Sequence, residues 1–394
     1  MKESSTVVES ATSGPPRGSR TLWLTGAGLS LIAVSYGLAR FAYGLFMPVF
    51  RTEFDLDAAT AGAIAAGSYL SYSVAIVLST ILTPRFGARR TAIAAGIIAT
   101  TGILMIAAAP STFVLAAGVL IAGSSTGVAS PPLAHAVAHT VGPSVRDRTQ
   151  TVINAGTGVG VAVAGPIALL TLEQWRSAWL VFAVVSAVVT LWVARAVPSG
   201  PSGRVSHGAA ALLPRPVLAV GSRRLMAAAA LMGLASSAVW TFGRDVLVST
   251  GGMSEGASTT AWILLGAFGV LGAVTGDLTG RVGIRSAWVA AMLTLGVATG
   301  MLAAFPGVVP LAWAAAAAFG AAYIALTGVL LIWGTSVYEQ APAAGVGIAF
   351  LAIALGQAAG SPVIGALAEI TSPATAFTVA ALTALVGAAI RPRW

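Results

Sequence analysis

The sequence predicts an all-α integral membrane protein of twelve transmembrane helices, arranged as two related six-helix bundles. Three observations carry that prediction. Of the 394 residues, 57% are hydrophobic and only 8% charged, too little polar surface to cover a water-soluble globule. Apolar runs long enough to cross a hydrocarbon layer, about 20 residues each, recur from residue 21 to residue 390. The chain also matches itself at one fixed shift. The runs are rich in Ala, Leu and Gly and lack alternation of period two, so they are helices rather than barrel strands.

Taken in order, the first 20 residues are polar, with Lys2, Arg17 and Arg20, and read as a disordered tail. The apolar run that follows is too long for the core of a signal peptide. Spans are expected at 21–50, 59–82, 91–109, 112–138, 149–171 and 177–196. Residues 196–224 are rich in Pro, Gly, Ser and Arg and read as a linker. The remaining spans fall at 225–248, 259–280, 285–305, 308–334, 344–368 and 373–390. The expected organisation is thus a tail (1–20), a bundle (21–195), a linker (196–224) and a second bundle (225–394).

The formal net charge of +9 reports topology rather than a nucleic-acid partner. Seventeen of the 21 Lys and Arg residues fall on the side of the termini, whereas Arg51, Arg176 and Arg244 fall opposite and Arg40 lies within the first span. The positive-inside rule then places both termini and the linker in the cytoplasm; the protein is expected in the inner membrane as a multi-pass protein, and a monomer is a separate expectation that the charge pattern does not address. The chain has no cysteine, so neither a disulfide framework nor thiolate chemistry is available.

Sliding the sequence by 196 positions pairs Gly37 with Gly233, Arg85 with Arg281, Gly87 with Gly283, Arg89 with Arg285, Gly160 with Gly356 and Pro166 with Pro362. Gly, Pro and Arg matches at a single gapless shift indicate a duplicated unit. Two parallel six-helix repeats, with a substrate bound between them near the midplane, are an arrangement of secondary transporters.

At this point a resemblance becomes specific. In "TILTPRFGARR", after the second span, Arg85, Gly87, Arg89 and Arg90 fit the cytoplasmic loop motif of the major facilitator superfamily, with Thr80 in place of its Gly and Pro84 in place of its acid. The second copy, "GDLTGRVGIR", keeps Gly276, Arg281, Gly283 and Arg285, with Gly280 where the acid would stand. The chain resembles that superfamily from residue 21 onward. The resemblance implies that these loops gate the inward face. Both copies lack the carboxylate that latches it elsewhere in the family.

The fifth span, "NAGTGVGVAVAGPIALL", resembles the Gly-Pro element of exporting exchangers through Gly156, Gly160, Gly165 and Pro166. Glycines admit close helix approach and the proline weakens one turn, which suits a helix that rocks during gating. The first span, "ARFAYGLFMP", resembles a bacterial branch of the superfamily with Arg-Phe-x-Tyr followed by Pro, here Arg40, Phe41, Tyr43 and Pro48.

The residue that stands out is Arg40. It lies 11 residues before Arg51, hence roughly 16 Å below the boundary at about 1.5 Å per residue. A lipid-facing guanidinium there costs about 2.5–3.5 kcal/mol on insertion scales, so it is expected to face a wet crevice and to anchor substrate. Tyr36, Arg40 and Tyr43 follow at i, i+4 and i+7, one face of an α-helix. Tyr69, Asn154, Trp240 and Gln357 are further candidates for the substrate site. His135, one turn from His139, is the candidate for proton coupling. No third ligand stands at useful spacing, so no metal is expected.

No cofactor is expected, and no catalytic set: three scattered histidines and no cysteine make the chain no enzyme. No Gly-x-x-x-x-Gly-Lys-Ser/Thr loop supports ATP-driven transport. The leading expectation is proton-coupled efflux of a small organic solute by antiport, in contact with lipid, solute and protons. Proton-coupled uptake of an organic anion is the alternative. A membrane sensor or enzyme that transports nothing is a distant third.

Overall fold

Backbone buried in hydrocarbon must satisfy its own hydrogen bonds, and helices do so within one segment. A computed structural model describes residues 17–171, 174–199, 219–272 and 282–392, and among them every regular element is helical. The first, α1, is compound: Arg17–Ile32, a π-helical stretch Ala33–Phe41, then Ala42–Leu45 and Met47–Glu53. It is followed by α2 (Ala58–Phe86), α3 (Ala88–Ala107), α4 (Thr112–Thr140), α5 (Pro143–Leu170) and α6 (Trp175–Ala196). The second half holds α7 (Ser222–Ser249), α8 (Glu255–Gly272), α9 (Ile284–Ala304), α10 (Val309–Val337), α11 (Pro342–Ile370) and α12 (Pro373–Ala389).

Ten of these helices are long and apolar enough to cross a membrane, and α8 and α12 are shorter apolar helices. Boundaries differ from the sequence expectation where polar residues join a helix. Residues 17–20, expected in the tail, open α1. Likewise α5 starts at Pro143 rather than 149, because a proline at the first helical position gives up an N–H that has no partner there anyway. Most of the expected linker, 200–218, lies outside the described residues, as do 1–16 and Arg281.

The duplicated glycines have concrete jobs. A Cβ on Gly37 would fall into the backbone of Gly160, and one on Gly160 into Ala33, so α1 and α5 touch backbone to backbone. Their partners at the 196-residue shift repeat the arrangement: Gly233 abuts the Ile353 carbonyl and Gly356 the Ala230 carbonyl, pressing α7 onto α11. Gly87 and Gly283 both adopt positive φ, 85° and 79°, at the turns entering α3 and α9, a conformation that a Cβ would strain.

The halves meet through α2 against α11 and α5 against α8, which the same shift interchanges. The ends of α1 and α12 nearest the chain termini share one face, called here the terminal face. The crossing hydrogen bonds and ion pairs seen among the described residues lie at the level of Arg40 or beyond it, toward the opposite face.

Candidate substrate site

Arg40 lies in the π-helical stretch, where the Ala42 N–H reaches back five residues to the Gly37 carbonyl. Such widened turns are rare and recur at functional sites. Here the widening brings i, i+4 and i+5 together: the Tyr36 and Phe41 rings are 6.4 Å apart, with the Arg40 Cζ 5.9 Å and 5.2 Å from them. Tyr69 and Tyr72 of α2 supply two nearer faces, 4.6 Å and 4.5 Å away. From across the molecule, Gln357 of α11 accepts a hydrogen bond from Arg40 Nη2 at 3.1 Å. The Gln357 amide donates in turn to the Tyr323 hydroxyl at 3.3 Å and to Ser236 Oγ at 3.4 Å.

Gln357 is near the middle of α11, roughly 20 Å from either end at the α-helical rise, so its bond to Arg40 lies at mid-helix. The environment differs from the expected wet crevice. Arg40 is 7% exposed and enclosed by aromatic faces, whose electron-rich surfaces attract a cation by about 0.5–2 kcal/mol each. Among the described residues it makes no ion pair, so its one hydrogen-bonded partner is a neutral amide.

Beside it, Arg40 Nε, Ser68 Oγ and Trp240 Nε1 are buried without hydrogen-bond partners. They border a cavity of about 10 Å³, close to the least space that holds one water. Trp240 closes it, stacked on Phe41 at 3.9 Å and edge-on to Tyr323 at 5.1 Å. Unpaired buried donors around an unpaired positive charge form a site whose chemistry favours an anion.

The fold and this site can be set beside known proteins. The model of the Major Facilitator Superfamily matches residues 29–345. The chain belongs to the Major Facilitator Superfamily. Curated relatives include an uncharacterized transporter, YgaY, of Escherichia coli O157:H7, 28% identical over 44% of this chain and 45% of the relative. Another is a gentisate transporter of Corynebacterium glutamicum, 24% identical over 52% of this chain and 50% of the relative. The chain thus spans about half the length of the curated relatives it matches. Two crystal structures of the nucleoside transporter NupG, one of a mutant, superpose with TM-scores of 0.77 and 0.72 at 16% and 14% identity. They cover 93% and 94% of this chain and 98% and 97% of theirs. At that identity the likeness is one of fold.

In this superfamily member the structure gathers Tyr36, Arg40, Tyr69, Trp240 and Gln357 into one cluster. Tyr36 is half-buried and shares a 3.3 Å hydrogen bond with Ser130 of α4. Tyr43 borders the same cavity as Arg40. Its hydroxyl donates to the Ala61 carbonyl at 3.0 Å and its ring packs on Phe50. Asn154 lies elsewhere, exposed on α5 and accepting from Gln150 at 3.2 Å. Nearby Gly156 abuts Leu29, 11 residues and roughly 16 Å along α1 from Arg40 at the α-helical rise.

His135 and His139 stack at 4.1 Å near the terminal face, with His139 Nδ1 2.8 Å from the His135 carbonyl. Of the residues expected to gate, Arg89 donates from Nε to the Val197 carbonyl at 2.6 Å, tying the start of α3 to the end of α6. Arg85 and Arg285 are exposed. Gly165 faces Ile263 of α8, and Pro166 lies within an unbroken α5.

Sequence reasoning left Tyr323 and Ser236 out of the site. A lone tyrosine in the Ala-rich middle of α10 was the available signal for the first; a buried serine in a helix has none.

Proposed function

We propose that the protein is a secondary carrier that works by alternating access and moves a small organic anion, with Arg40 holding its charge near mid-membrane. The single observation that carries this reading is the buried guanidinium without an acidic partner, beside unpaired Arg40 Nε and Trp240 Nε1 donors. A resident anion supplies both the missing charge and the missing acceptors. Bidentate acceptance from a guanidinium fork suits a carboxylate. The surrounding rings offer apolar faces to a flat body, and gentisate, the solute named for one relative, combines a carboxylate with an aromatic ring.

The basic residues put the terminal face in the cytoplasm of a cell whose inner membrane holds the protein. The two six-helix groups, 21–195 and 225–394, are the bodies that move. Their close glycine contacts act as bearings, and the loops carrying Arg85, Gly87, Arg89, Gly283 and Arg285 line the cytoplasmic rim. Protons are the coupling ion in this reading, with His135 as the group that carries them. Export by antiport draws support from the Gly160–Pro166 element, whose glycines seat α5 against α1 and α8; uptake draws support from the anion anchor.

The test is transport in proteoliposomes under pH gradients of either sign, using radiolabelled gentisate, uridine and tetraphenylphosphonium. Gentisate is expected to accumulate under one gradient, uridine and the lipophilic cation under neither, and Arg40→Gln is expected to abolish accumulation. Transport of gentisate by Arg40→Gln at the native rate, or transport of only the cation, overturns the anchor.

A further inference from the structure

On the face opposite the termini, two consecutive residues of α7 with opposite charge grip two different pieces of α1. Asp245 Oδ2 accepts a hydrogen bond from Arg51 Nη1 at 2.7 Å. Arg244 Nη1 donates at 2.7 Å to the Leu45 carbonyl, at the break between Ala42–Leu45 and Met47–Glu53. Arg244 itself is positioned from its own half, by Ser258 Oγ at 3.1 Å and Glu255 Oε1 at 3.5 Å. A third bond runs between α11 and α2: Glu369 Oε2 accepts from the Ala58 N–H at 3.1 Å, at the helix end whose dipole attracts an anion.

We infer that Arg51, Arg244, Asp245 and Glu369 form a charged latch that holds this face shut. Each bond joins one of the first six helices to one of the last six. Arg244 and Asp245 are 4% and 6% exposed, so they are buried in the seam between halves rather than solvated at a span end. The partners are polar, and Arg51 and Glu255 remain partly exposed, so water can replace each bond when the seam parts. Apolar packing offers no such replacement. The latch rests on the alternating-access reading, since a face that never opens needs no release, but it is independent of the solute.

The absence of cysteine makes a direct test available. Thr241 is 1% exposed and borders the Arg40 cavity, so Thr241→Cys supplies a single buried thiol. A membrane-impermeant methanethiosulfonate is applied to the face opposite the termini in sealed, oriented vesicles. Val308→Cys, exposed near the start of α10, verifies orientation. Labelling at position 241 is expected to be slow with the latch intact. In Asp245→Asn/Glu369→Gln it should be faster by about tenfold or more, the change in open population that loss of a charge-assisted hydrogen bond produces.

Arg51→Asp is expected to speed labelling, and Arg51→Asp combined with Asp245→Arg to slow it again. Should the paired neutral variant not fold, the charge-swap series carries the test. Labelling less than about fivefold faster in latch variants whose unfolding temperature matches the native protein overturns the inference. Because labelling needs no solute, a latch that opens in a protein moving no gentisate would leave the inference standing while the anion reading fell.

Discussion

Replacing Arg40 by glutamine should separate stability from binding. The change removes a charge whose placement at mid-membrane costs about 2.5–3.5 kcal/mol on insertion scales. It also forfeits the hydrogen bond to Gln357, worth about 1.5–3 kcal/mol when one partner is charged, together with contacts to four aromatic faces. With each ring contact and the hydrogen bond at the low end of its range, the losses roughly cancel the recovered cost, so the ligand-free variant should unfold within about 1 kcal/mol of the native protein. An anion has no such compensation. Losing its charge-assisted bond to the guanidinium should weaken binding by about 10- to 100-fold. Thermal unfolding in detergent, with and without gentisate, reads both quantities at once. Equal ligand-induced shifts in both proteins would refute the reasoning. So would a collapse of the ligand-free variant, because Arg40 would then be a structural tie between halves.

Other outcomes can be checked alongside it. Gly160→Val and its mate Gly356→Val should each fail to accumulate or unfold well below the native protein, since a side chain there meets neighbouring backbone. Gly347→Ala should be tolerated, because nothing lies within 4 Å of a Cβ at that position. Asn154→Ala should leave gentisate binding within about twofold, as expected of a residue outside the cluster, and a loss measured by thermal shift would bring α5 into the site. Asp57 caps α2 by accepting the Thr60 N–H at 2.6 Å, which holds its carboxyl below the ordinary range. Its stabilising effect should therefore be full above about pH 4, the unfolded value, and disappear as pH falls through the lower folded value. Unfolding of native protein and Asp57→Asn between about pH 3 and 5 checks the sign, since only the native protein should show this dependence.

The membrane-spanning architecture and its doubling were legible because both are written in composition and in Gly, Pro and Arg at a fixed shift. Arg40 was legible because charge in an apolar run is conspicuous, and Tyr36 because i+4 neighbours remain neighbours in a widened turn. Phe41 was not legible beside Arg40, because the 3.6-residue period does not hold across Ala33–Phe41 and the widened turn brings its ring under the guanidinium. Partners from the second half, Tyr323 and Ser236, depend on which helices meet, and a single sequence does not encode that pairing visibly. Arg244, Asp245 and Glu369 stand near the ends of apolar runs, where charge is not conspicuous, and hydropathy measures depth and not which neighbour covers a residue.

The unusual winding of the first helix has a consequence for engineering this chain. Deleting one residue from an ordinary α-helix rotates everything downstream by about 100° and ruins its fit. Between Ala33 and Phe41 the ladder already carries a surplus residue in each rung, so removing one there would tighten the coil to normal pitch and leave both flanks aligned. A shortened protein of this kind would keep its scaffold while turning the guanidinium away from its aromatic neighbours.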